Sequence, residues 1–169
     1  MERLIKRLLG GIEAIEIAVL VFSFAAMTAF LLADVMGREL FRQGVFGATY
    51  YALYFLILSS MLSFDVAVAR DAHLRPTAFD GLVPARWDPV MRRIGHLLSA
   101  VIAALVIWGT WTFIAESRFF NERNLTIRLP LWPMQVPLLL GFGMSFLRHL
   151  AYAAFPDIAP RKPVTEAKP

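Results

Sequence analysis

The sequence predicts an all-α integral membrane protein with four transmembrane helices. Its 169 residues are 58% hydrophobic and only 18% charged, whereas soluble domains average about half and a quarter. A soluble domain of this size has too little interior to bury so much apolar surface. The chain also contains four long runs without a charged residue, at 17–33, 43–64, 94–115 and 129–147. Composition and run length together favour a multi-pass membrane protein.

The four runs predict helices rather than strands. A helix needs about 20 mostly apolar residues to cross the hydrocarbon core, and lipid admits only helices or closed barrels. The runs do not alternate between polar and apolar residues, as barrel strands would. The predicted helices lie near 12–33, 45–69, 92–115 and 131–155. They form one membrane domain, 1–156, followed by a Pro- and Lys-rich tail, 157–169, that is predicted to be disordered.

The distribution of Lys and Arg predicts the orientation. The N-terminal arm, the loop between helices two and three and the C-terminal end carry twelve basic residues, and the other two loops carry five. Since cytoplasmic loops are enriched in Lys and Arg, both termini are expected in the cytoplasm. The same basic residues are dispersed along the chain without forming a patch, which argues against a nucleic-acid binder. The absence of cysteine excludes disulfides and cysteine-ligated metals.

A few acidic residues lie close to the predicted helix ends. Glu13 and Glu16 share one helical face, and the favoured interpretation pairs them at headgroup level with Lys6, Arg7 or a basic residue of another helix. The alternative is a site for a coupling ion or a proton, because acids in hydrocarbon often mark function. Such a site would need the two acids near the midplane, and their position at the start of the span argues against it. Asp65 is likewise expected to form an interfacial pair.

At the outer end of helix one, Asp34 and Arg38 are spaced to pair on one helical face. Two interpretations stay open: an ordinary interfacial ion pair, and a docking point for a partner. After helix two, Arg70 and Arg75 are expected to anchor the chain at the cytoplasmic headgroups, and His73 to be a structural residue closing the turn.

The fourth span starts with an unusual concentration of proline. Pro130 and Pro133 suit the first turn of a helix, where a missing N–H costs nothing, and Pro137 would produce at most a kink. Trp132 suits the membrane interface. Gly141 is followed by a small residue four positions later, a spacing that lets helices in lipid approach closely.

Three segments of the chain, taken together, match a known pattern. The matching positions are Val35, Arg38 and Phe41, then Arg70, Ala72, His73 and Leu74, then Pro130, Trp132, Pro137, Leu138, Gly141 and Arg148. With these residues the chain resembles the small membrane subunit of tripartite ATP-independent periplasmic (TRAP) transporters, over about residues 10–155. Where that family commonly has a tryptophan and acidic residues at the start of helix two, this chain has Thr49, Tyr50 and Tyr51.

The resemblance implies a permease subunit that is not an enzyme and has no cofactor, in the bacterial inner membrane. Its implied partners are a large elevator-type membrane subunit, for which it serves as scaffold, a periplasmic substrate-binding protein and the lipid bilayer. The implied process is sodium-coupled uptake of an organic acid. The candidate subunit-interface or anchoring residues are Asp34, Arg38, Arg70, His73, Arg75, Pro130, Trp132, Pro137, Gly141 and Arg148.

Two other classes compete with this interpretation. The three histidines, His73, His96 and His149, could hold a metal or haem in a small membrane protein, although all three lie at helix ends, whereas a haem site needs histidines that face each other inside a bundle. A stand-alone exporter built from four-helix units would need polar residues in the middle of its spans, and the sequence offers almost none.

Overall fold

The computed structural model describes residues 2–70 and 87–159, which form four long helices and one short one. The long helices are α1 (Glu2–Phe41), α2 (Ala48–Ala69), α3 (Asp88–Phe119) and α4 (Trp132–Ala154), and a 3-10 turn follows at Pro156–Ile158. Each long helix has the length and hydropathy to cross a membrane. The predicted all-α fold with four spans is confirmed.

The helices form two antiparallel hairpins that meet along α2 and α4. Helix α1 packs on α2, α2 packs on α4, and α4 packs on α3, so α2 and α4 lie in the middle. Aromatic rings fill the first contact: Phe30 of α1 stacks on Tyr51 of α2 with ring centroids 5.3 Å apart. In the central contact, the rings of Phe64 and Phe142 are 5.2 Å apart. Most of the remaining apolar surface of α1 and α3 is exposed, as expected of faces that meet lipid or another subunit.

Helix α1 is much longer than the predicted span. Its 40 residues extend about 60 Å at 1.5 Å per residue, twice the thickness of the hydrocarbon core. No proline interrupts it, and Gly10 and Gly11 lie in open space where they do not force a break. The charged first turns therefore continue the helix beyond its apolar part.

The approach of α4 to α2 depends on a glycine. A Cβ atom added to Gly141 would lie 2.8 Å from the backbone oxygen of Met61, so only glycine permits this spacing. Pro137 is fully buried inside α4. Pro133 occupies the first turn of α4, as predicted, but Pro130 does not: it lies before the helix, in an isolated bridge with Arg123.

The predicted tail begins within the 3-10 turn. Ala159, directly after that turn, is 6% exposed, and residues 160–169 lie outside the described part of the chain. The loop residues 71–86, which include the predicted anchoring residues His73 and Arg75, also lie outside it.

Candidate functional site

Three charged side chains from three helices meet inside the bundle. The Arg148 guanidinium in α4 donates through Nε to Oδ2 of Asp65 in α2 over 2.7 Å, and through Nη2 to Oε2 of Glu16 in α1. The exposed fractions of these side chains are 2%, 0% and 4%. We call Glu16, Asp65 and Arg148 the ion cluster. Within it, the pair of Glu16 and Arg148 joins α1 directly to α4 through side chains of opposite charge.

The ion cluster has more acid than base. Two carboxylates share one guanidinium, and the second oxygens, Glu16 Oε1 and Asp65 Oδ1, have no hydrogen-bond partner among the described residues. Buried ion pairs gain little net energy because desolvation offsets attraction, but removing one partner is strongly destabilising. The ion cluster therefore fixes which helices meet more than it adds to overall stability.

A second ion pair lies beside the ion cluster and is open to solvent. Arg70 Nε, just after α2, is 2.9 Å from Oε1 of Glu13 in α1, with exposed fractions of 60% and 27%. Such exposed pairs contribute at most about 1 kcal/mol. Glu13 precedes Glu16 by less than one helical turn, or ~4.5 Å along α1. This pair thus lies about one helical turn from the ion cluster, where α2 ends.

The predicted pairing of Glu13 and Glu16 with basic residues is observed, and both partners come from other parts of the bundle rather than from Lys6 or Arg7. Asp65 is paired, as predicted, and its partner is Arg148 of α4, inside the bundle, where the Asp65 side chain is completely buried. The sequence points to Arg148 only through the family resemblance. The pattern that indicates its partners is an arginine within the fourth helix and an acid within each of two other helices.

At the opposite end of the bundle, Asp34 organises the turn between α1 and α2. Its Oδ2 accepts from Arg38 Nε at 3.1 Å and Nη2 at 2.8 Å, and its Oδ1 accepts from the backbone N–H of Val45 at 2.9 Å. A Cβ added to Gly44 would lie 2.5 Å from Asp34 Oδ1, so a larger residue there would shift this carboxylate. The predicted Asp34–Arg38 pair is thus present and also closes the loop.

This turn forms an open pocket of about 440 Å³. The pocket is lined by Asp34, Arg38, Arg42 and residues 44–50. The Arg38 charge is already engaged by Asp34, whereas Arg42 makes no ion pair within the described chain. Helix α2 starts beside the pocket without an acidic residue in its first turn or a side-chain cap. A helix N-terminus carries a partial positive charge, so the surroundings favour an anion.

The loop between α3 and α4 lies against the same turn. The hydroxyl oxygens of Tyr50 and Thr126 are 2.7 Å apart. Gly47, at φ 77°, faces Ile127 so closely that an added Cβ would be 3.0 Å from it. The guanidinium of Arg118 lies over the ring of Trp132, at the start of α4, with its Cζ atom 5.3 Å from the ring centroid. Both connecting segments therefore form one surface at this end of the bundle.

Two of the three histidines lie together. Nδ1 of His96 in α3 is 3.2 Å from Nδ1 of His149 in α4, and the Tyr152 ring packs edge-on against His96 at 5.4 Å. The expectation that histidines at helix ends would not face each other is wrong for this pair, because the start of α3 lies beside the end of α4. Within residues 2–70 and 87–159, no three His, Cys, Asp or Glu side chains are arranged to hold a metal.

The fold and these contacts define a multi-pass membrane protein whose charged groups serve helix packing and one polar end surface. A family model described as tripartite ATP-independent periplasmic transporters, DctQ component, matches residues 27–155. The chain belongs to this family and is a small membrane component of a TRAP transporter. No curated protein matches the sequence. Asp65 and Arg148 fall inside the matched range, and Glu16 precedes it.

Proposed function

We propose that this chain is the scaffold for the large, elevator-type membrane subunit of a TRAP transporter that takes up an organic acid with sodium. The family supports this proposal, since its members belong to transporters that also have a large membrane subunit and a binding protein. The proposed location is the bacterial inner membrane with both termini in the cytoplasm. The twelve-to-five distribution of basic residues supports this orientation.

The ion cluster is the observation that supports the scaffold role most strongly. A moving subunit needs a partner whose helices keep their relative positions. Here Arg148 holds α1 and α2 to α4 through two charge-assisted hydrogen bonds in the interior. The charged side chains Glu16 and Asp65 are thereby occupied with packing, which favours a static frame over a transport path through this chain. Because these carboxylates are occupied with packing, they also support a role without catalysis.

The polar end surface supports a contact with the periplasmic binding protein. In the proposed orientation, the turn around Asp34 and the loop 121–131 face the periplasm. Arg42 is exposed there and has no acidic partner within the described residues. An acidic group of the binding protein would suit both this side chain and the start of α2. Arg38 would act through the shape of the turn, because its charge is held by Asp34.

The experiment that tests the scaffold role is co-purification. The tagged full chain is expressed together with a large membrane subunit of a TRAP transporter from the same genome and is isolated in mild detergent. We expect a stable complex of the two chains that survives size-exclusion chromatography, whereas an unrelated four-helix membrane protein carrying the same tag captures nothing. Failure of the two chains to associate in detergent and in lipid nanodiscs would refute the proposed role.

A further inference from the structure

The net charge of the ion cluster is the feature that the scaffold role leaves unexplained. Arg148 supplies one positive charge, and ionised Glu16 and Asp65 would supply two negative charges. All three side chains are at least 96% buried. A single uncompensated charge inside an apolar bundle carries a large desolvation cost, and proteins avoid it by neutralising the group.

The neighbouring charged groups of the described chain donate no hydrogen bond to the two free carboxylate oxygens of the ion cluster. On the α1 and α2 side, Glu13 and Arg70 are paired with each other and cancel. On the α4 and α3 side lie Tyr152 and the pair His149 and His96. A hydrogen bond between the two Nδ1 atoms requires one of them to accept, so at most one of the two imidazoles carries a positive charge.

Two carboxylate oxygens of the ion cluster are left without a partner among the residues that the structure describes. The guanidinium occupies Glu16 Oε2 and Asp65 Oδ2, and the remaining oxygen of each carboxylate is buried without a hydrogen-bond partner in the described chain. A metal cation needs several oxygen ligands and would be repelled by the adjacent guanidinium. A proton needs a single oxygen, and two neighbouring carboxylates commonly share one.

We propose that the ion cluster is a proton-binding site, in which Glu16 and Asp65 together hold one proton and Arg148 balances the remaining negative charge. The cluster is then neutral while the bundle is folded. The proton comes from water when the three helices assemble and returns to water when they separate. The exposed Glu13–Arg70 pair lies next to this site, where α2 ends.

Infrared spectroscopy of the full chain in lipid tests the proposal directly. At neutral pH we expect one carboxylic acid C=O band that shifts on exchange into deuterated water. Glu16→Gln removes this band because Asp65 then pairs alone with Arg148, and Asp65→Asn removes it for the same reason. Glu39→Gln changes an exposed carboxylate of α1 and should leave the band unchanged. A native chain without such a band, or a band that survives both cluster variants, would overturn the proposal.

Proton release on unfolding supplies a second, independent readout. When the native chain is unfolded by detergent in weakly buffered solution at neutral pH, it should release about one proton more than Glu16→Gln does. Equal release from the two would contradict a bound proton. If sodium chloride instead stabilised the native chain but not Glu16→Gln, with no difference in proton release, the cluster would be a cation site and the proposal would be wrong.

Discussion

The Nε atom of Arg148 in α4 lies 2.7 Å from Oδ2 of Asp65 in α2, and neither side chain is more than 2% exposed. Because α1 reaches the same guanidinium through Glu16, one residue holds three helices. Charge-assisted hydrogen bonds of this kind are directional as well as strong. They fix the rotation of each helix about its axis, which apolar contacts in lipid specify less sharply.

Removing Arg148 should destabilise the bundle more than any other single charge change. Arg148→Met keeps much of the side-chain volume but leaves the two buried carboxyl groups of Glu16 and Asp65 without the guanidinium that balances their charge. We expect a loss of about 3–5 kcal/mol in the free energy of unfolding, measured by detergent titration of the chain in mixed micelles. Arg93→Met, an exposed arginine of α3, is the matched control and should change it little. Equal effects of both variants would mean that the ion cluster does not hold the helices.

The contact of α2 with α4 predicts opposite outcomes for two glycines of one helix. Gly143→Ala meets nothing within 4 Å, so it should be neutral or gain up to about 1 kcal/mol from better helix propensity. Gly141→Ala would place its Cβ 2.8 Å from Met61 O, and overpacking of this kind costs about 1–3 kcal/mol. Thermal unfolding of the two variants provides the comparison, and a Gly141→Ala chain as stable as the native one would contradict the close approach.

Asp34 should control the order of the turn between α1 and α2. Asp34→Ala removes the acceptor of Val45 N–H and releases Arg38, with an expected cost of about 1–3 kcal/mol. Hydrogen exchange at the Val45 amide should become faster, while Glu39→Ala, an exposed residue on the same helix, should leave it unchanged. Unaltered exchange in Asp34→Ala would show that the side chain does not close the turn.

Charge reversal at Arg42 tests the proposed contact with the binding protein. Arg42→Glu should weaken the association of the binding protein with the assembled membrane subunits and lower uptake at limiting binding-protein concentration, because it places repulsion beside an acidic partner. Assembly with the large subunit should be unaffected. Arg93→Glu, at the opposite end of the bundle, is the control. If Arg42→Glu and the native chain associate equally with the binding protein, this surface is not the contact.

The four helices and their approximate positions could be predicted because each apolar run is long enough to cross a membrane by itself. The partners of the buried charges could not. Asp65 and Arg70 are close in sequence, but five residues turn a helix by about 500°, which places them on different faces. Arg70 therefore meets Glu13 of α1 while Asp65 meets Arg148 of α4. Neither partner can be predicted without knowing how the two hairpins pack.

At the end surface, too, one contact could be predicted from the sequence and others depend on how the chain packs. The spacing of Asp34 and Arg38 was enough to predict their pair, because residues four apart share a helical face. The additional bond from Val45 N–H to Asp34 depends on how the chain turns after Phe41. The pairing of His96 with His149 likewise depends on the antiparallel arrangement of α3 and α4, and the sequence alone only places both at helix ends.

The scaffold role is tested most directly by uptake into proteoliposomes. Vesicles are prepared with the large subunit alone, with this chain alone, and with both, and labelled organic acid, the binding protein and a sodium gradient are then supplied. We expect uptake only when both membrane subunits are present, and its loss when the sodium gradient is collapsed. Uptake by vesicles that contain this chain alone would contradict the scaffold role.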